Sequence, residues 1–112
     1  MGKKVRKIIL SDILNEDLAD IYDYGIDTFG KDLAELFIGT IYQRIYELPL
    51  LYLLNPECRQ LQTKTQLYRN IILGKYLIIY RVRASKIEVL RALHSSQNPQ
   101  LIKSIRKIKL NK

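Results

Sequence analysis

The chain has 112 residues, 47% of them hydrophobic, enough for one compact domain that buries roughly two thirds of its unfolded surface and too few for two. Its single cysteine, Cys58, excludes an internal disulfide and suits a reducing cytoplasm, and its longest apolar run, LPLLYLL at 48–54, falls far below the roughly 20 residues of a membrane helix. The formal net charge of +8 is polarised, with +4 on residues 1–11, −7 on residues 12–35 and +11 on residues 36–112, a pattern that suits a basic side meeting nucleic acid or an acidic protein segment, or simply a solvated basic surface.

The lysine-rich start, KKVRKIIL, meets Ser11-Asp12 after three apolar residues, too few for the core of a signal peptide. Val5 to Leu10 reads as a short strand, and Ser11-Asp12 supplies acceptors for the free N–H groups of a new helix. In that helix Leu14, Leu18, Ile21, Tyr22 and Gly25 share one face, while Glu16, Asp20, Asp23 and Asp27 take the other. Gly30 ends it. Leu33, Phe37, Ile41, Ile45 and Leu48 then recur every three or four residues and mark a longer second helix, which Pro49 stops or kinks. The short connection makes the two helices an antiparallel hairpin. One more helical turn fits LLYLL before Asn55-Pro56, and residues 57–67, polar and without period, read as a loop.

Three β-rich runs follow, YRNIIL, YLIIYRV and IEVLRAL, parted by Gly74-Lys75 and by residues 83–86, spacings that make two consecutive hairpins. The fold class is therefore α+β: an N-terminal strand, a two-helix hairpin, then a three-stranded antiparallel meander packed on the helices, all one domain with a core over about residues 5–99. The basic tail, residues 100–112, suits a short helix from Pro99 or an edge strand equally.

A two-residue turn at Gly74-Lys75 sets Leu73 against Tyr76, Ile71 against Ile78 and Arg69 against Tyr80. Pairing Val82 with Ile87 then puts Val89 beside Tyr80 and Arg91 beside Ile78. That register gathers Arg69, Tyr80 and Arg91 on one sheet face, as a candidate site for an anion or a target protein. Filler roles for the same three side chains are an equal reading. The opposite face, with Ile72, Leu77, Ile79, Leu90 and Ala92, is the surface expected under the helices. His94, the lone histidine, is the minority candidate for catalysis. No acid or nucleophile stands beside it in sequence, and a strand-end role bonding the turn at Ser95-Ser96 is preferred. One His and one Cys leave only carboxylates to complete a metal site, so none is expected; no glycine-rich phosphate loop is present, and no cofactor is expected. Tyr22, Tyr42 and Tyr46 read as packing residues.

The order of elements, together with LADIYDYGIDTFG, NPE, YRNIILGKYLIIYRV and IEVLRALHSSQNP, resembles the RelE/ParE superfamily of bacterial toxins over about residues 5 to 99. The likeness is closest on the ParE side, in Asp20-Ile21-Tyr22-Asp23-Tyr24 of the acidic helix and in the run from Leu90 to His94. The resemblance implies a toxin of a type II toxin–antitoxin system, of the kind that stabilises plasmids, in a hetero-oligomer with a ParD-like antitoxin. RelE-like relatives cut messenger RNA on the ribosome with several basic residues on the sheet and the following loop. Arg69 matches one such position, whereas Ile71 and Leu77 stand where further bases are expected and HSSQNP has no arginine. ParE-like relatives instead poison DNA gyrase, and that is the reading taken, with a non-enzymatic mechanism. A groove for an amphipathic antitoxin helix is expected at Phe37 and Ile41, with Arg69 and Arg91 under its acidic tail. Ribosome-dependent cleavage and a non-toxic basic nucleic-acid-binding module are the alternatives.

Overall fold

The computed structural model describes residues 5–110; Lys3 and Lys4 of the basic start and residues 111–112 of the tail lie outside the described residues. Strand β1 (Lys7–Leu10) passes into helix α1 (Asp12–Phe29) through one residue, Ser11. Its buried hydroxyl accepts the Leu14 N–H at 3.0 Å and donates to the Leu90 carbonyl at 2.6 Å, so one side chain caps the helix and ties the junction to the sheet. Ser11→Ala is expected to cost about 1–2 kcal/mol in urea unfolding, because the Leu90 carbonyl loses a partner along with the cap. A change within error would show that the cap is dispensable.

Helix α2 (Lys31–Tyr46) turns back on α1 at Gly30, whose φ of +90° lies in a region that favours glycine. A Cβ at Gly25 would meet the Ala34 Cβ at 3.1 Å, so the two helices cross closely there. Leu14, Leu18 and Ile21 of α1 are buried together with Ile41 and Ile45 of α2, while Glu16, Asp20, Asp23 and Asp27 face solvent as their spacing indicates. A separate turn, α3 (Leu48–Leu51), follows with Pro49 in its first positions, where the missing N–H costs nothing, and a single 3₁₀ turn at Tyr52–Leu54 leads to the extended Asn55. None of the described helices is long and apolar enough to cross a membrane.

The sheet has the order β1-β4-β3-β2, with β2 (Tyr68–Leu73), β3 (Tyr76–Val82) and β4 (Lys86–His94) forming the antiparallel meander and β1 lying parallel to β4. The helical segment thus carries the chain from β1 at one edge of the sheet to β2 at the other. Gly74, at φ +57°, makes the β2–β3 turn. The pairs Arg69–Tyr80, Ile71–Ile78, Leu73–Tyr76, Val82–Ile87 and Tyr80–Val89 stand as the turn spacing implies. Between Tyr80 and Ile79 the register shifts and leaves Leu90 without a partner, so Arg91 faces Ile79 and Ala92 faces Ile78. This corrects the expectation that Arg91 lies beside Ile78.

The faces are corrected with it. The helices cover Ile71, Ile78, Tyr80, Ile87, Val89 and Ala92. Leu77, Ile79 and Leu90 belong to a second core on the other side, and Ile72 is exposed. Alternation could not decide this, because β3 and β4 are apolar on both faces, and the bulge moves Ala92 across.

That second core is closed by Cys58 and Leu61 from the connection after α3 and by Ile102 and Ile105 from the tail. The tail forms helix α4 (Pro99–Lys103), capped by the Asn98 side chain, and a 3₁₀ turn at Ser104–Lys107, which settles the choice between helix and strand. Burial pushes the Cys58 thiol up. At the rim of this layer sits a buried ion pair: Arg81 Nε meets Glu88 Oε1 at 2.6 Å with each side chain only 3% exposed. Arg83 Nε adds a second contact to the same oxygen at 3.1 Å. Burial opposes both charges, but the hydrogen bonds win, so the Glu88 carboxyl is held below its ordinary range and Arg81 above its own.

Candidate functional site

The hairpin overhangs the end of the sheet. At its tip α1 ends in Tyr24 and Phe29 and α2 begins with Leu33, Ala34 and Phe37; beneath them lie the β2–β3 turn, Tyr76 and the end of β4. The space between is a groove of about 730 Å³. Its floor is a ladder of rings, Phe37 to Tyr76 at 5.7 Å between centroids and Tyr76 to His94 at 5.6 Å edge-on. Its walls are open apolar side chains: Tyr24 is 60% exposed, Phe29 63% and Leu33 56%. Scattered exposed apolar residues are normal, but three around one concave surface form a site that water covers poorly and a partner's apolar face covers well. Lys75 lines the sheet side and gives the groove a basic margin there. Burial pushes the Tyr76 phenol up, with nearby Tyr24 adding to the shift.

His94 lies in this groove rather than beside an acid. Its Nδ1 accepts the Ser96 N–H at 3.1 Å and sits 2.6 Å from the Ser96 hydroxyl. The backbone bond assigns the ring's acceptor to Nδ1 and places the proton of the neutral ring on Nε2. In this position the ring orders the turn after β4 and closes the end of the groove.

The other candidate residues disperse. Tyr80 is fully buried and donates to the Tyr52 carbonyl at 2.5 Å, with burial raising its pKa. Arg69, its neighbour across β2–β3, fastens the connection after α3 to the sheet, giving one Nη–H to the Asn55 carbonyl at 2.7 Å and another to Gln66 Oε1 at 2.9 Å. Arg91 points to α1, where Nε and Nη2 fork onto the two Asp17 carboxylate oxygens at 2.8 Å each; Asp17 also accepts the Ala92 N–H. The Asp17 carboxylate, through its hydrogen bonds, raises the Arg91 pKa. The expected open cluster of Arg69, Tyr80 and Arg91 is therefore replaced by three internal fastenings: the bulge pairs Arg91 with Ile79 instead of Ile78, its guanidinium reaches Asp17 on α1, and the core takes Tyr80. Of the two groove candidates on α2, Phe37 lines the groove and Ile41 is wholly buried.

Tyr24, Phe29, Leu33 and Tyr76 escaped the sequence reading. Helical spacing assigns Leu33 to the buried stripe, and the signal that Tyr24 and Phe29 stand off the apolar stripes carries no meaning until the hairpin overhangs the sheet. Tyr46 likewise is 60% exposed and stacks on Tyr42 rather than filling the core. Among the described residues no group of three His, Cys, Asp or Glu side chains is placed to hold a metal ion.

A family model described as the ParE toxin of the type II toxin–antitoxin system parDE matches residues 8–99. Among solved structures the chain is similar to one described as the chromosomal ParDE toxin–antitoxin system from P. aeruginosa, at a TM-score of 0.68 and 18% identity, covering 82% of this chain and 98% of that one. At that identity the likeness establishes the fold. Comparison with curated proteins found no match.

Proposed function

Since this chain belongs to the ParE toxin family of type II toxin–antitoxin systems, we infer that it arrests growth by binding DNA gyrase in the cytoplasm, and that a cognate antitoxin neutralises it by laying an amphipathic helix in the apolar groove. The observation that carries the non-enzymatic reading is the use made of the sheet. Ile71 and Leu77 stand where RelE-like ribonucleases carry bases, and here both are packed in the two cores. Tyr80 and Arg91 are spent on Tyr52 and Asp17, and His94 on Ser96. A site that must bind RNA and stabilise a charged transition state needs such groups aimed at the substrate. Here they are aimed at the protein itself.

The antitoxin reading rests on the groove. An amphipathic helix would cover Leu33 and Phe37 with its apolar side, giving the hetero-oligomer expected of such a pair.

Inducing the chain in bacteria without its antitoxin, and following labelled thymidine and labelled methionine over the first minutes, tests the target. DNA synthesis is expected to fall first, and purified gyrase should then lose supercoiling activity in the presence of the toxin. An earlier fall in protein synthesis, with cleaved messenger RNA, would replace this reading with the ribonuclease one.

A further inference from the structure

A second concavity, of about 530 Å³, lies at the opposite end of the sheet from the groove. Its floor is Tyr68, Arg81 and Glu88, and its rim is Arg83 and Lys86 from the β3–β4 turn with Arg106 and Lys109 from the tail. Glu88 is the one acid among the described residues that line it. Its carboxylate has three cations within salt-bridge distance, Arg81 at 2.6 Å, Arg83 at 3.1 Å and Lys86 at 3.5 Å. One negative charge cannot balance three, and Arg106 and Lys109 add to the excess.

Two further features concentrate that charge. Lys7 is the partner of Lys86 in the parallel β1–β4 pair, so like charges stand side by side where pairing alone would disfavour them. Arg6 is bound beside them, its Nε donating to the Arg83 carbonyl at 2.7 Å. On the other side Arg81 Nη2 donates to the Ile108 carbonyl at 2.9 Å, which pins the tail so that Arg106 and Lys109 stand over the pocket. The cations therefore form a strip along one end of the sheet, from β1 across the β3–β4 turn to the tail.

We propose that this strip, Lys7, Arg83, Lys86, Arg106 and Lys109 around Glu88, is a site for the phosphodiester backbone of a nucleic-acid duplex. Fixed cations held over a low-dielectric floor focus positive potential outward, and a polyanion with evenly spaced charges relieves the repulsion between Lys7 and Lys86. The lining ring, Tyr68, is only 5% exposed, so no face is offered for base stacking and the contact is to backbone rather than to unpaired bases. The site stands apart from the antitoxin groove, does not depend on which enzyme is the target, and asks of the toxin only that it can lie against nucleic acid.

Fluorescence anisotropy with labelled DNA and RNA duplexes of about 20 base pairs, at about 50 to 200 mM salt, tests it. The full chain should bind with an affinity that falls steeply as salt rises. Arg106→Glu with Lys109→Glu should weaken binding at least about tenfold and flatten the salt slope by about two phosphate contacts. Lys31→Glu with Lys75→Glu makes the same change in net charge outside this pocket and should weaken it far less. The duplex bound more tightly names the natural source. Equal losses in the two pairs, no duplex binding by the native chain, or displacement of duplex by polyglutamate at lower charge concentration than by unlabelled duplex would each overturn the proposal. If the reversed pair fails to fold by circular dichroism, Arg106→Gln with Lys109→Gln carries the same test, with the same loss of about two phosphate contacts from the slope and a smaller loss of affinity, since no repulsive charge is added.

Discussion

Glu88→Gln is expected to lower the free energy of unfolding by about 3–5 kcal/mol, a large share of what a domain of this size has to lose. The cost does not measure the worth of the pair. It arises because Arg81, 3% exposed and enclosed by Tyr68 and the Ile108 carbonyl, is left with a charge that Gln cannot balance. The double replacement Arg81→Met with Glu88→Leu removes both charges and should recover most of the loss, since a buried pair and a well-packed apolar pair of similar volume are close in free energy. Urea unfolding of the three proteins measures this. If the double variant is as unstable as the single one, the charge argument fails and packing around Glu88 is the cause.

The same pair sets a pH dependence. Glu88 has a folded pKa below the ordinary value of 4.5, so its stabilisation is fully present above that value and is lost as pH falls through the folded one. The gap in stability between the native chain and Glu88→Gln should therefore be constant near neutrality and shrink in acid below about pH 4.5. A gap that held steady to the lowest pH at which the chain folds would contradict the assignment.

Leu33→Asp is expected to weaken binding of the cognate antitoxin by at least about 2 kcal/mol, roughly 30-fold, while leaving the fold nearly as stable as before. Leu33 is more than half exposed, so the free toxin pays little for the change. In a complex that fills the groove, the new carboxylate would be desolvated against Phe29 and Phe37 without a partner. Leu50→Asp supplies the control. Leu50 is 82% exposed and belongs to a different apolar surface, with Leu53 and Leu54 after α2, and should leave antitoxin affinity unchanged. Titration calorimetry against the purified antitoxin reads both. Loss at Leu50 and not at Leu33 would move the antitoxin from the groove to that other surface.

The dispersal of Arg69, Tyr80 and Arg91 shows where a sequence reading of a sheet is strong and where it breaks. Turn length places Arg69 opposite Tyr80 correctly, because a two-residue turn at Gly74-Lys75 leaves no other register. One unpaired residue at Leu90 then shifts everything beyond it, and Arg91 finds Asp17, a residue 74 positions away. Nothing local in either segment announces that pairing. The same bulge places Ala92 with the helix-covered face, and it leaves His94 in a groove whose other wall is contributed by α1 and α2.

What the sequence by itself determined is everything set by short spacings: the α+β class and element order, the Ser11 cap, the Gly30 and Gly74 reversals, the meander, the charge polarity, and a family resemblance now matched over residues 8–99. Hydrogen bonding within a turn or a helix end involves residues a few positions apart, so the pattern carries it. Only the tertiary structure decided which of two apolar sheet faces the helices cover, that the tail seals a second core, that Leu33 is open while Ile41 is buried, and that the basic residues of β1, the β3–β4 turn and the tail converge. Each of those depends on partners distant in the chain competing for the same apolar surface, and the outcome of that competition is a property of packing that no local period records.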